Sequence, residues 1–119
     1  MVYDCLVLDD NEEGRLVLSE IISLCGHKVV EAPNAEVALK LCRHKMPDYI
    51  FVDWMMPEMD GIQFIKQLHA IEGESHAKII MCTAKSQLDD PSSIRESKID
   101  GYLQKPIHVA DIRNIFNQM

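Results

Sequence analysis

Five side chains in this sequence could handle a phosphoryl group together: Asp9, Asp10, Asp53, Thr83 and Lys105. Each ends, or lies close to, a short apolar run. Cys5-Leu6-Val7-Leu8 leads into Asp9-Asp10, Tyr49-Ile50-Phe51-Val52 into Asp53, Ile79-Ile80-Met81-Cys82 into Thr83, and Tyr102-Leu103 comes shortly before Lys105-Pro106. Brought together, three carboxylates would outnumber one ammonium. Two carboxylates about 5 Å apart repel by roughly 3 kcal/mol at an effective dielectric near 20, so such a cluster calls for a divalent cation or takes up protons. Oxygen ligands without a histidine or thiolate beside them select Mg²⁺ or Mn²⁺ over zinc. Asp53, alone at the end of its run, is the candidate nucleophile on phosphorus and could become an aspartyl phosphate. Its attack needs charge compensation, which Mg²⁺, Lys105 and the Thr83 hydroxyl could divide among the oxygens of the transferring group. A single aspartate after a strand is more often a helix cap or turn former. Coincidence at four strand ends is the stronger signal.

These residues meet only if the runs are parallel strands, whose carboxyl ends share one edge of an open sheet. The chain supports that: five short apolar runs alternate with five segments of helical period, the pattern of an α/β sheet covered by helices on both faces. The first helix is expected from Asn11, with Leu18, Ile21, Ile22 and Cys25 inward and Gly26 at its end. A strand follows at Lys28 to Glu31. Asn34 should cap a second helix that buries Val37, Ala38 and Leu41 and stops at Met46-Pro47. The segment Pro57-Glu58-Met59-Asp60-Gly61 opens a third helix with Phe64, Ile65 and Leu68 inward, closed near Gly73. A fourth helix is weakly periodic between Lys85 and Ile99, with Pro91 inside it. The last carries Val109, Ile112, Ile115, Phe116 and Met119 at helical spacing.

Composition limits the rest. With 119 residues, 47% hydrophobic and 26% charged, the chain fits one globular domain, expected to span residues 1–119, and no apolar stretch reaches the roughly 20 residues of a membrane helix. Met1-Val2-Tyr3-Asp4 has no basic segment before an apolar run, so a cytoplasmic location is expected. A net charge of −7, from 12 basic and 19 acidic side chains, argues against direct nucleic-acid binding and for protein partners. Cys5, Cys25, Cys42 and Cys82 form no C-x-x-C pair and read as buried free thiols. The scattered histidines, His27, His44, His69, His76 and His108, read as surface or cap residues.

Four motifs in this order, Leu8-Asp9-Asp10-Asn11, Val52-Asp53-Trp54-Met55-Met56-Pro57-Glu58-Met59-Asp60-Gly61, Cys82-Thr83-Ala84-Lys85 and Gly101-Tyr102-Leu103-Gln104-Lys105-Pro106, make the chain resemble the receiver domains of bacterial two-component response regulators, most closely the small CheY-like members. The resemblance covers essentially the whole chain. It implies a flavodoxin-like (βα)5 three-layer sandwich with a parallel sheet of order 2-1-3-4-5. It also implies that Asp53 accepts a phosphoryl group from a histidine kinase or histidine phosphotransfer protein. Asp10, Asp53 and the backbone carbonyl of Met55 would bind Mg²⁺ directly, and Asp9 would act through water; Mn²⁺ could substitute. By the same resemblance Thr83 and Tyr102 form a switch that alters the fourth helix, fifth strand and fifth helix, a face offering Ile94, Lys98 and Val109 to a downstream target. The Lys105-Pro106 bond is expected to be cis. The state implied is a monomer or a weak phosphorylation-linked dimer.

Met55 and Lys85 depart from the commonest family pattern and flank the expected phosphate, where they would alter its lifetime. Lys98 stands where a helix-ending glycine is usual. Other readings of the chain are a receiver cut from a larger regulator and a non-phosphorylated pseudo-receiver, which would not need the complete residue set. A magnesium-dependent aspartyl-phosphate phosphatase would want a second Asp two residues after Asp53, where Met55 stands. A flavodoxin-type cofactor protein would want a Ser/Thr/Gly-rich loop after the first strand.

Overall fold

A computed structural model describes residues 1–53, 61–72, 77–83 and 99–118. The strands are β1 (Asp4–Leu8), β2 (Lys28–Ala32), β3 (Tyr49–Asp53), β4 (Lys78–Thr83) and β5 (Gly101–Gln104). The helices among the described residues are α1 (Glu12–Leu24), α2 (Ala35–His44), α3 (Gly61–Glu72) and a C-terminal helix (Val109–Gln118). The expected fourth helix, with Lys85, Pro91, Ile94 and Lys98, lies outside the described residues, as do Trp54, Met55, Gly73, His76 and Met119.

The five strands form one parallel sheet of order β2-β1-β3-β4-β5. Its central runs are apolar at every position because both faces are covered. Along β3, Ile50 and Val52 enter one core with Leu6, Leu8, Phe64, Ile65 and Leu68, under α2 and α3. Tyr49 and Phe51 enter the opposite core with Val7, Leu18, Ile22, Ile112 and Ile115, under α1 and the C-terminal helix. Period-two alternation thus divides one hydrophobic run between two layers. Each aliphatic or aromatic side chain so buried contributes about 1.5–3 kcal/mol, which fixes the register of the strands that carry the acidic ends.

Local chemistry sets the helix ends. Asn11 Oδ1 accepts the Gly14 N–H at 2.7 Å, and Asn34 Oδ1 accepts the Val37 N–H at 2.9 Å, so both asparagines are N-caps. After α1 the chain turns through Gly26 at φ +92°, a left-handed conformation that disfavours a side chain. The buried side of α2 is rotated from the expected one: Ala35, Ala38, Leu39 and Cys42 are buried, whereas Val37 and Leu41 flank the contact and are only partly covered. Small alanines let this helix approach the sheet, and the larger flanking residues seal its sides.

At the amino edge of the sheet, aspartates do structural work. Asp48 Oδ2 accepts the Asp4 N–H at 2.8 Å, and Asp100 Oδ2 accepts the Ile79 N–H at 2.7 Å, pairing donors at the starts of β1 and β4. One histidine corrects the expectation of a surface role. His27 is half-buried: its Nδ1 accepts the Tyr3 N–H at 3.1 Å and its ring lies 4.0 Å from that of Phe116. Burial, reinforced by the amino terminus, holds His27 below its ordinary pKa, consistent with an imidazole nitrogen that accepts a backbone proton. None of the four cysteines forms a disulfide; Cys5, Cys42 and Cys82 are buried and Cys25 is half-buried. Burial pushes the thiols of Cys5 and Cys82 up to about 12, which leaves them unreactive near neutrality.

Asn34→Ala removes the α2 cap without touching the acidic edge. It should lower unfolding stability by about 1 kcal/mol, seen as a lower urea midpoint at unchanged slope. An unchanged midpoint would show that the cap contributes nothing.

Candidate functional site

Parallel pairing carries β1 and β3 to the same edge with Leu8 opposite Val52, so the residues that follow, Asp9 and Asp53, emerge side by side. Asp53 in turn pairs with Cys82, one residue before Thr83, and Thr83 pairs with Gln104, one residue before Lys105. Four strand ends therefore deliver the backbone positions of Asp9, Asp53, Thr83 and Lys105 to one edge. The Thr83 side chain and Met55 lie outside what is described.

Asp9, Asp10 and Asp53 each offer a carboxylate oxygen within 4.8 Å of the others. Lys105 reaches two of the three residues, with Nζ 3.5 Å from Asp9 Oδ2 and 3.4 Å from Asp53 Oδ1. These are long contacts for charge-assisted hydrogen bonds, so the ammonium is shared rather than tightly seated. Asp9 is only 5% exposed. Its Oδ1 accepts the Asn11 N–H at 2.9 Å, which orients the carboxylate within the turn. The Lys105-Pro106 peptide is cis, as expected.

Burial pushes the Asp53 carboxyl above its ordinary pKa of 3.8; the charge and hydrogen bond of Lys105 oppose the rise, while the charges of Asp9 and Asp10 add to it. For Lys105, burial acts downward, yet Asp53 and Asp9 outweigh it and the net shift is upward. One ammonium is thus insufficient for this cluster. A small, hard divalent cation fits the donor set: all three side chains are carboxylates, and Asp9 and Asp53 are largely withdrawn from water. A cleft of about 450 Å³ opens beside them, lined in part by Asp9, Gly14, Val17, Asp53, Lys105 and Ile107. Gly14 stands so near that a Cβ added there would lie 3.2 Å from Asp9 Oδ2, so the first turn of α1 forms a close wall.

Residues 5–117 match the family of response regulator receiver domains. The chain belongs to that family. Its sequence is 30% identical over 109 residues to the polar-differentiation response regulator DivK of Brucella anthropi, covering 92% of this chain and 89% of that one. Its fold is that of a CheY-like receiver domain from Methylobacillus flagellatus, with TM-score 0.90 and 23% identity over 99% and 98% of the two chains. It is also that of the receiver domain of sensor histidine kinase PA1611 from Pseudomonas aeruginosa, with TM-score 0.86 and 22% identity over 99% and 97%; that protein has a magnesium ion coordinated in its active site cleft.

In this receiver the anticipated acids and Lys105 converge, while Tyr102 lies on β5 opposite Met81, its side chain 54% exposed. Two participants were not anticipated. Arg15 Nη1 donates to the backbone carbonyl of Asp9 at 2.9 Å, and Arg15 Nε donates to Glu31 Oε1 at 3.2 Å. The basic residue one helical turn past the Asn11 cap was the available signal for Arg15; nothing local marked Glu31, which arrives from another strand.

A carboxyl raised in the folded state binds more protons there than in the unfolded chain near its pKa, so its contribution to stability is present in acid and lost as pH rises through the folded value. Asp53→Asn removes that loss. In EDTA-containing buffer the variant should unfold at higher urea than the parent at pH 7, with the advantage vanishing below the ordinary value of 3.8. An equal or less stable variant at pH 7 would refute this assignment of electrostatic strain.

Proposed function

We propose that this receiver is a phosphoacceptor switch in which Asp53 takes a phosphoryl group from a histidine kinase or histidine phosphotransfer protein. The observation that carries the reading is the convergence of three carboxylates and one loosely shared ammonium at the carboxyl edge of the sheet. The residues fit Mg²⁺, which would be held by Asp10 and Asp53 directly, with Asp9 acting through water and the Met55 carbonyl as a further ligand. When bound, the ion supplies charge neutralisation for the phosphoryl oxygens and for the acidic cluster.

An Asp53 oxygen forms the bond to phosphorus as the P–N bond to the donor histidine breaks, and the freed imidazole nitrogen takes its proton from solvent. Lys105 follows the developing negative charge, since its ammonium is already shared between Asp9 and Asp53 and is free to lean toward a phosphoryl oxygen. Thr83 supplies a hydroxyl to another oxygen. Water attack on phosphorus later breaks the Asp53 O–P bond and releases inorganic phosphate, restoring the carboxylate, so the domain acts on itself rather than on a separate substrate.

Tyr102, which lies exposed on β5, would rotate inward when Thr83 is drawn to the phosphate, and that rotation would alter the surface of β5 and the helices beside it. A downstream protein reads that face. The likeness to DivK, named as a response regulator, supports the signalling class, and the magnesium site of the PA1611 receiver supports the choice of ion. A domain filling residues 1–119, in the cytoplasm, as a monomer or weak dimer, completes the proposal; among the described residues no helix is long and apolar enough to cross a membrane.

Trp54 is the only tryptophan and adjoins Asp53 in sequence, which makes a direct test possible. Mg²⁺ should change its fluorescence, and acetyl phosphate or beryllofluoride should change it further only with Mg²⁺ present. Acetyl phosphate should also add the mass of one phosphoryl group to the intact chain. Absence of these responses, or their persistence in Asp53→Ala, would sink the phosphoacceptor reading.

A further inference from the structure

Both backbone polar groups of Asp9 are held by one closed circuit. Its N–H donates to the Ala32 carbonyl at 3.2 Å, tying the end of β1 to the end of β2. Its carbonyl accepts from Arg15 Nη1 at 2.9 Å. Arg15 continues through Nε to Glu31 Oε1 at 3.2 Å, and Glu31 is the residue before Ala32. The ring therefore runs from Asp9 to β2, along one peptide unit, across an ion pair to α1, and back to Asp9. Arg15 is well covered, its side chain 16% exposed, while Glu31 stays 39% exposed, so it is the guanidinium that is withdrawn from water.

We infer that Arg15, braced by Glu31, is a positioning residue for the proposed metal site, fixing the turn from which the Asp9 and Asp10 carboxylates face Asp53. This rests on the magnesium reading above. A guanidinium suits the task because its planar fork directs two N–H groups at once, one to a carbonyl and one to a carboxylate; a lysine has one nitrogen and cannot fix both directions. The geometry also separates this role from a purely electrostatic one. A cation near an acidic site repels Mg²⁺, so deleting its charge would tighten binding if charge alone mattered. If Arg15 holds the turn, deleting it weakens binding, since partners that orient metal ligands are typically worth 10–100-fold in affinity.

The test is Mg²⁺ titration by isothermal calorimetry on the full chain, with urea unfolding measured in parallel. Arg15→Met should weaken Mg²⁺ binding by about ten-fold or more, and Arg15→Lys should also weaken it although the charge is kept. Glu31→Asp, which keeps the charge but draws the carboxylate back from Arg15 by one methylene, should weaken it by a smaller factor and serves if Arg15→Met does not fold. Lys40→Met, at an exposed helix pair, should leave affinity unchanged. Tighter or equal Mg²⁺ binding by folded Arg15→Met, or by Glu31→Asp in its place, overturns the inference while leaving the metal site intact. Absence of Mg²⁺ binding by the unmodified chain overturns the functional reading and this inference together.

Discussion

Mutual repulsion among Asp9, Asp10 and Asp53 is the constraint around which the site is built. Carboxylates with oxygens within 4.8 Å of one another separate unless something holds them. Here the holding force is remote: the strands behind Asp9 and Asp53 are locked in register by two hydrophobic layers, one sharing Leu8 and Val52, the other Val7 and Phe51. Each layer is indifferent to charge, yet a one-residue slip of either strand would exchange its core faces. The cost of that slip keeps like charges together, and burial of Asp53 then leaves it above its ordinary pKa.

The two edges of the sheet use the same residue type in opposite ways. At the amino edge, Asp48 and Asp100 accept backbone N–H groups, which satisfies the strand starts. At the carboxyl edge, Asp53 meets Lys105, and Asp9 divides its oxygens between the Asn11 N–H and the same ammonium. An aspartate occupied by unpaired backbone donors is structural. One held against other carboxylates, with a shared cation as its counterweight, retains lone pairs for a metal or for phosphorus.

This difference explains what was legible in the chain. Strand ends could be read because each apolar run stops abruptly at a polar residue, and the α1 start near Asn11 and the Asn34 cap because such bonds close within three residues. On α2, Ala38 is buried as expected, whereas Ala35, Leu39 and Cys42 take the places given to Val37 and Leu41, because the face that meets the sheet is set by the assembled packing. His27 escaped notice since its polar partner is a backbone N–H from the far end of β1's approach, Tyr3, and its apolar neighbour is Phe116. Glu31 was invisible for the same reason: contacts between elements are set by the assembled fold, while periodicity reports only one element at a time.

The site also separates two kinds of positive charge. Lys105 carries its ammonium on a flexible stem and, among the described residues, bonds to side-chain oxygens at 3.4 and 3.5 Å, so it can shift when a new anion arrives. Arg15 grips a backbone carbonyl at 2.9 Å and is itself held by Glu31, so it follows the chain and not the ligand. A mobile cation can adapt to a change of charge beside it; a fixed one holds the turn that carries the acids. Exchanging the two residue types would fail in both places, because a fork cannot yield easily to a moving oxygen and a single ammonium cannot hold a carbonyl and a carboxylate in fixed directions.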